Sequence, residues 1–430
     1  MNPASAWRGE TQIAPGQLRA RRALLVAVIA VTSLLPLVFV TPEDVPVAVN
    51  VYKYLAKIGA FVGSMLLVWQ ILLGFRGLVS SVLPDLTWVV SVHKALGQFG
   101  VPIIVLHPVF IGLYYLAKEE RNIYALDLGR PFDQFVLLGM VTLALIAFVI
   151  ITSAFFRDKL GFYPWLYTHL STYLVPPFLL VHSFALGQTI EGSGLRWYWW
   201  GVTAVVVVAL AVRVLHKLGI ASDRYRVVGT RSVAEATTEV TLEPVGAPLE
   251  PAPGQFIYLR RALGENSHPY TVSGLSGRAL SVTVQDEGGQ TAALQEASVG
   301  DEVLLDGPFG VFTRVSLAKE LPLVMIAGGV GITAFRRLWQ RLEDEASREA
   351  YLFYGNETFE QIVYRDELDA LEHVQVVHVL HDEPDYDGEQ GLVDLDVLTR
   401  HLSEDVTEYQ FLVCGPPVMI ESLEELLTEA

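Results

Sequence analysis

Cysteine is almost absent from this 430-residue chain. The single Cys414 excludes an internal disulfide and any iron–sulfur or zinc site built from several thiolates of this chain. Charge is scarce as well. Asp, Glu, Lys and Arg make up 18% of the residues, against about 25% in soluble globular chains, while apolar residues reach 52% and the mean hydropathy is +0.39. The deficit is uneven. Residues 1–217 hold 16 Lys and Arg against 10 Asp and Glu, and residues 218–430 hold 14 against 37. A basic, apolar half and an acidic, polar half imply at least two domains. The acidic half would repel phosphates, so no nucleic-acid partner is expected. A secretory cleavage pattern is missing too, because the first apolar run is long and others follow it.

Six apolar runs lie near 24–40, 54–75, 88–116, 134–156, 165–187 and 197–215. Most approach the ~20 residues that cross ~30 Å of hydrocarbon as a helix, the form in which all backbone groups are paired inside one segment. The sequence therefore predicts a short cytoplasmic segment, 1–23, and a six-helix transmembrane bundle, 24–217, in contact with membrane lipid. With the N-terminus inside, nine Lys and Arg flank the inner ends of the spans and six the outer ends. This positive-inside bias and the even number of spans predict a multi-pass protein of a bacterial-type plasma membrane with its acidic half in the cytoplasm.

Four of the ten histidines fall inside spans: His93 and His107 in the third, His169 and His182 in the fifth. One such residue reads equally well as a packing residue, but two pairs on two helices do not, and ionisable groups in lipid are functional candidates. The 14-residue step from His93 to His107 turns ~1400°, ~40° short of four turns, and rises ~21 Å. Both rings leave one face near opposite membrane surfaces. The 13-residue step from His169 to His182 is ~140° out of phase in an ideal helix, and Pro176 and Pro177 between them are expected to kink or rewind the span and restore it. Pairing across helices gives two levels, His93 with His169 inside and His107 with His182 outside, each fit to hold a planar iron macrocycle between two neutral imidazoles. Arg76 and Lys94 inside, and Lys53 and Lys57 outside, are candidate cations for the propionates.

After Lys217 the pattern changes. Short, partly alternating runs at 238–244, 255–260 and 279–285, separated by Pro and Gly, predict an antiparallel β-barrel over 218–317. From 318 to 430, Leu321–Ala327 reads as a buried strand followed by Gly328-Gly-Val-Gly-Ile-Thr333 and a helix-like stretch to about 345. A glycine-rich turn between strand and helix lets phosphate approach backbone N–H groups. Strand signals recur at 350–355, 374–380 and 410–414, predicting an α/β nucleotide-binding domain with its ligand at the strands' C-terminal ends.

Together these motifs resemble the NADPH oxidase and ferric reductase superfamily over roughly residues 20–430, with a prokaryotic-oxidase-like bundle and a dehydrogenase half similar to ferredoxin–NADP⁺ reductase. The resemblance implies two b-type haems on the four histidines and FAD against His268, Pro269, Tyr270, Thr271 and Ser273. It also implies a second flavin phosphate loop at Gly289, Gln290 and Thr291. The NAD(P)H pyrophosphate would sit at Gly328, Gly329, Gly331 and Thr333, and the nicotinamide beside Cys414, Gly415 and Pro416. Thr271 and Cys414 would flank hydride transfer. Ala334 stands where relatives usually have Pro. Glu357 stands where NADPH-preferring relatives often place Arg, which implies that NADH serves as well or better. The chain stops at Ala430, where relatives commonly run on to an aromatic residue that covers the flavin. No calcium-binding loop or proline-rich tail is seen, so no obligatory activator is expected. The implied activity is an NAD(P)H oxidase delivering electrons to dioxygen. The alternatives are a ferric- or cupric-chelate reductase and a subunit serving a periplasmic partner protein.

Overall fold

In a computed structural model the described residues are 15–75, 83–220, 222–313, 321–346, 348–403 and 405–429. Arg76 lies outside them. The chain divides into two compact units, Arg19–Val214 and Leu215–Ala430 with the residues up to Leu18.

The first unit is helical. Its main helices are α1 (Pro15–Leu34), α2 (Val47–Leu73), α3 (Leu86–Glu119), α4 (Pro131–Phe155), α5 (Phe162–Leu170), α6 (Val175–Leu186) and α7 (Leu195–Lys217). Among the described residues, six stretches are long and apolar enough to cross a membrane: Gly16–Phe39, Val47–Leu73, Leu86–Glu119, Pro131–Phe155, Phe162–Leu186 and Leu195–Lys217. Helices α1 and α2 begin nine and seven residues before the apolar runs at 24–40 and 54–75 do. Hydropathy marks only the part suited to lipid, while residues such as Arg19, Arg22, Asn50 and Lys53 extend the helix into the polar interface. Half of the α2 window is buried, the largest share of the six. Gly59 and Gly63, spaced as Gly-x-x-x-Gly, let α3 approach closely. A Cβ on Gly63 would stand 2.9 Å from Ile104, and one on Gly59 would overlap the backbone of His107. Phe61, Met65, Leu179 and Trp199 fill the core beside them.

The fifth span is interrupted, as its prolines predict. Between α5 and α6 the chain forms a 3-10 turn at Ser171–Leu174, and Pro176 and Pro177 open α6. Each 3-10 residue turns about 120° rather than about 100°. Four of them supply about 80° of the missing ~140°.

The second unit begins with a closed antiparallel barrel, β1-β2-β5-β4-β3-β6. Its strands are β1 (Asp223–Ala234), β2 (Thr237–Pro244), β3 (Phe256–Arg260), β4 (His268–Ser276), β5 (Ala279–Gln285) and β6 (Glu302–Phe309), with a short helix α8 (Gln290–Gln295) after β5. Tyr225, Val240, Ile257, Val272 and Val282 alternate into its core. A five-stranded sheet follows in the order β10-β9-β8-β7-β11, with its strands parallel. These strands are β7 (Leu323–Gly328), β8 (Ala350–Asn356), β9 (Val374–Leu380), β10 (Glu389–Gln390) and β11 (Gln410–Cys414). Helices α9 (Arg336–Glu345), α10 (Arg365–Asp369), α11 (Leu395–His401) and α12 (Pro417–Glu429) connect or follow them. All six residues of β7 are buried, as expected of a central strand covered on both faces. The chain runs outward from β7 to β10 and returns with β11 on the other side, so the crevice beside β7 is a topological switch point.

Candidate functional site

In the helical unit the four histidines face each other in two pairs. The ring centroids of His93 and His169 are 6.2 Å apart, and so are those of His107 and His182. Metal–nitrogen bonds of about 2 Å on either side of one ion, plus the ring radii, place two trans imidazoles about that far apart. The second nitrogens are fixed as well. Nδ1–H of His93 donates to the Gln70 carbonyl (2.7 Å), that of His107 to Ala56 (3.2 Å) and that of His182 to Phe135 (2.7 Å). A carbonyl can only accept, so these rings carry hydrogen on Nδ1 and present the Nε2 lone pair, the tautomer of a metal ligand. His169 Nδ1 instead meets the Ser153 hydroxyl at 3.2 Å, which also accepts from the Trp165 indole at 3.1 Å.

The helices place these partners by register. α2 runs antiparallel to α3, and Ala56 and Gln70 are 14 residues apart, the same step as His107 and His93. Gly139 makes room for His182, because a Cβ there would stand 2.5 Å from its ring. His107 and His182 lie in a cavity of about 470 Å³, lined also by Glu43, Lys53, Lys57, Tyr114 and Tyr124. Lys53 is engaged by Glu43 (2.8 Å) and by the Thr41 carbonyl (2.7 Å). Lys57 forms no ion pair among the described residues, and its Nζ stands 5.6 Å over the Phe61 ring. Burial raises the Glu43 carboxyl, but hydrogen bonds from Lys118, Lys53 and Tyr114 outweigh it and hold the group at about 2. Lys94 is exposed on α3.

In the second unit, glycine rather than side-chain chemistry shapes the crevice. A Cβ on Gly331 would overlap the carbonyl of Cys414, and one on Gly328 would stand 2.9 Å from Pro416. Gly328, Gly331, Cys414, Gly415 and Pro416 therefore converge at the C-terminal ends of β7 and β11. The loop differs from the sequence expectation in one respect. It opens into a 3-10 turn, Gly329–Ala334, and α9 starts only at Arg336, because Gly329 turns the chain with φ 51°. Thr333 Oγ1 donates to Val330 O at 2.9 Å, closing that turn. Burial pushes the Cys414 thiol up to about 11, so it is neutral at ordinary pH.

His268, Pro269, Tyr270 and Thr271 lie on β4, with Thr271 opposite Phe256 of β3, and β4 packs against the 329–334 turn. Gly289 (φ 61°) precedes Gln290 and Thr291 at the start of α8. Ser273 is fully buried, and its hydroxyl is taken up by Ser281 O and Thr283 Oγ1. Glu357, just past β8, is exposed, with Gln361 Nε2 3.4 Å from its carboxylate. Solvent screening reduces what its charge can do. Sequence reasoning missed the carbonyl and hydroxyl partners of the histidines and the role of Gly139. The Gly-x-x-x-Gly pair was the one signal that could have located α2 against α3.

A stacked pair of imidazole sites in a six-span bundle, together with a barrel and a glycine-lined nucleotide crevice, defines a class of membrane reductases. Comparison with known proteins agrees. Residues 60–180 match the ferric reductase like transmembrane component, and residues 325–425 match the oxidoreductase NAD-binding domain. The chain thus joins a ferric-reductase-like transmembrane domain to an FAD/NAD-binding domain of ferredoxin-reductase type, the organisation of the NADPH oxidase and ferric reductase superfamily. Among curated relatives, NADH-cytochrome b5 reductase 1 of Lodderomyces elongisporus is 31% identical over 154 residues, covering 34% of this chain and 51% of the relative. Sulfhydrogenase 2 subunit gamma of Pyrococcus furiosus is 29% identical, with 41% and 66% covered. The reductase component of propane 2-monooxygenase from Rhodococcus jostii is also 29% identical, with 48% and 63% covered. The chain thus spans half to two thirds of these relatives. A similar solved structure is the flavohaem-like FAD/NAD-binding domain of a Vibrio cholerae nitric oxide dioxygenase, with TM-score 0.43, 24% identity, and 48% of this chain and 92% of that one covered.

Proposed function

We propose that the protein moves electrons from cytoplasmic NAD(P)H across the membrane to an external acceptor, using one FAD and two bis-histidine b-type haems. When bound, these groups supply hydride acceptance and single-electron relay. The observation that carries the reading is the pair of 6.2 Å imidazole separations, one level above the other, with the Nδ1 atoms engaged.

In this reading His93 and His169 hold the inner haem, and His107 and His182 the outer one. The carbonyls of Gln70, Ala56 and Phe135 fix the tautomer and tilt of three rings, and the Ser153 hydroxyl, which can donate or accept, orients the His169 ring. β4 from His268 to Thr271 binds the flavin, and the turn at Gly289–Thr291 its phosphate side. Gly328–Thr333 holds the nucleotide pyrophosphate on backbone N–H groups. Cys414, neutral and small, borders the nicotinamide without acting as a nucleophile. With His93 and His169 at one level and His107 and His182 at the other, each haem would be held by two imidazoles and would supply single-electron transfer to an acceptor that need not bind the metal. For that acceptor we propose dioxygen, giving superoxide. Lys57 lines the cavity beside His107 and His182 and forms no ion pair among the described residues, so its charge would favour an anionic product there.

The test is turnover of the purified, FAD-supplemented protein with NADH or NADPH and cytochrome c as reporter. Reduction abolished by superoxide dismutase supports dioxygen. Dismutase-insensitive reduction of ferric chelates at a higher rate would assign a chelate reductase instead.

A further inference from the structure

The barrel and the nucleotide-binding domain meet at β4 and the 329–334 turn, and one buried polar network crosses that junction. Its hub is Arg336, the first residue of α9, three positions beyond Thr333. Its Nη1 pairs with Glu239 on β2. Its Nε and Nη2 reach Glu367 on α10 at 3.0 and 2.9 Å. The guanidinium carbon lies 3.9 Å over the Tyr364 ring, and Nη1 would stand 3.6 Å from a Cβ on Gly274 of β4. Glu239 is only 7% exposed and also takes Arg231 at 2.8 Å and the Tyr364 hydroxyl at 3.3 Å. That hydroxyl bonds Thr283 on β5, and Thr283 Oγ1 meets Ser273 Oγ at 2.9 Å. Ser273 is two residues from Thr271. Glu367 accepts further bonds from Trp339 (3.1 Å) and Gln340 (2.7 Å).

Stability alone explains such a network poorly. A buried ion pair gains little over apolar residues of the same volume, because desolvation offsets the attraction. What a planar guanidinium adds is direction, since its donors fix the angle between the carboxylates they hold. Tyr364 supports the same view. It adopts φ 62° without being glycine, a conformation that persists only where its surroundings demand it.

We infer that Arg336, Glu239 and Tyr364 form a positioning network that sets the distance between the flavin strand and the nicotinamide crevice during hydride transfer. The inference rests on the proposed function, in which hydride leaves the reduced nicotinamide, oxidising it, and adds to the flavin, reducing it. One side of the gap is β4 with Thr271, and the other is β11 with Cys414. Arg336 touches neither reactant. It joins the elements that carry them, and an error of about 1 Å in such a gap can cost about a hundredfold in rate. Ser273, expected from its motif to contact flavin, acts here as the network's anchor on β4.

The test is anaerobic stopped-flow reduction of flavin in the full-length, FAD-loaded protein. Wild type, Arg336→Met, Arg336→Lys and Tyr364→Phe are compared, with flavin content and nucleotide Kd measured for each. Arg336→Met should slow reduction per bound flavin by tenfold or more while the Kd changes less than threefold. Arg336→Lys keeps the charge but loses the fork, so it should rescue only part of the rate. Tyr364→Phe keeps the ring under the guanidinium and should slow reduction about threefold, which keeps the inference testable if Arg336→Met fails to fold. A full rate per bound flavin in Tyr364→Phe and in whichever Arg336 variants fold, with only thermal stability lowered, would overturn the positioning role. No flavin reduction in wild type by either nucleotide would instead overturn the proposed function on which it rests.

Discussion

The two units build their sites by opposite means. In the helical unit, side chains make the site, and four imidazoles stand in pairs with ring centroids 6.2 Å apart. In the second unit the crevice is made by what is missing, since Gly328 and Gly331 leave room for the Cys414–Pro416 turn to lie against the β7 loop. Chemistry explains the difference. Holding a metal by nitrogen would require an imidazole lone pair at a particular place, which a backbone amide nitrogen does not offer. Cradling a pyrophosphate needs backbone N–H groups brought close, and any Cβ obstructs that. Substitutions should therefore act by removing a ligand in the first unit and by adding bulk in the second.

The largest effect expected is from His107→Leu. It should remove about half of the haem absorbance and stop delivery to external acceptors, while flavin reduction by NAD(P)H proceeds. Retention of both haems would reject the assignment. Next comes Gly331→Ala, whose new methyl must displace Cys414. Overpacking of this kind costs about 1–3 kcal/mol, which, if felt wholly at the nucleotide site, is about five- to 140-fold in nucleotide affinity, read by titration with a non-reducing nucleotide analogue. Haem content should not change, and that separation sharpens the contrast between the units.

Glu357→Arg should favour NADPH over NADH by about tenfold or less in kcat/KM, since the side chain is exposed and its field is screened. A larger shift would mean that the bound nucleotide shields it from water. The smallest effect is expected at Cys414, the only thiol in the chain. Burial raises its pKa from 9.0 to about 11. A raised thiol costs the fold nothing below pH 9 and destabilises it progressively from 9 toward 11. Alkylation of the folded protein by iodoacetamide should stay slow and flat through pH 9, whereas the urea-unfolded chain should react increasingly as pH passes 9. Fast labelling at pH 8 would show the thiol to be solvated.

Much of the architecture was legible in the sequence because it depends on periods. The spans follow hydropathy, the barrel and sheet follow alternation and buried runs, and the phase of His93 and His107 follows from 3.6 residues per turn. The common facing of His169 and His182 was legible only as a need for rewinding. The 3-10 turn at Ser171–Leu174 that supplies most of it leaves no distinct pattern. The Nδ1 partners were illegible for a simpler reason, since every residue carries a carbonyl and only the packing of α2 and α4 selects Gln70, Ala56 and Phe135. The two-residue β10 and the short α11 have no period to read. The role of Arg336 has no local signature, because its partners lie 97 and 31 residues away.

The most direct test of the central claim is the haem content of the purified full-length protein, measured as pyridine haemochrome per chain together with the oxidised and reduced absorption spectra. Two b-type haems per chain, both low-spin with two nitrogen ligands, are predicted. One haem or none after expression with ample haem supply, or a high-spin five-coordinate spectrum, would contradict it.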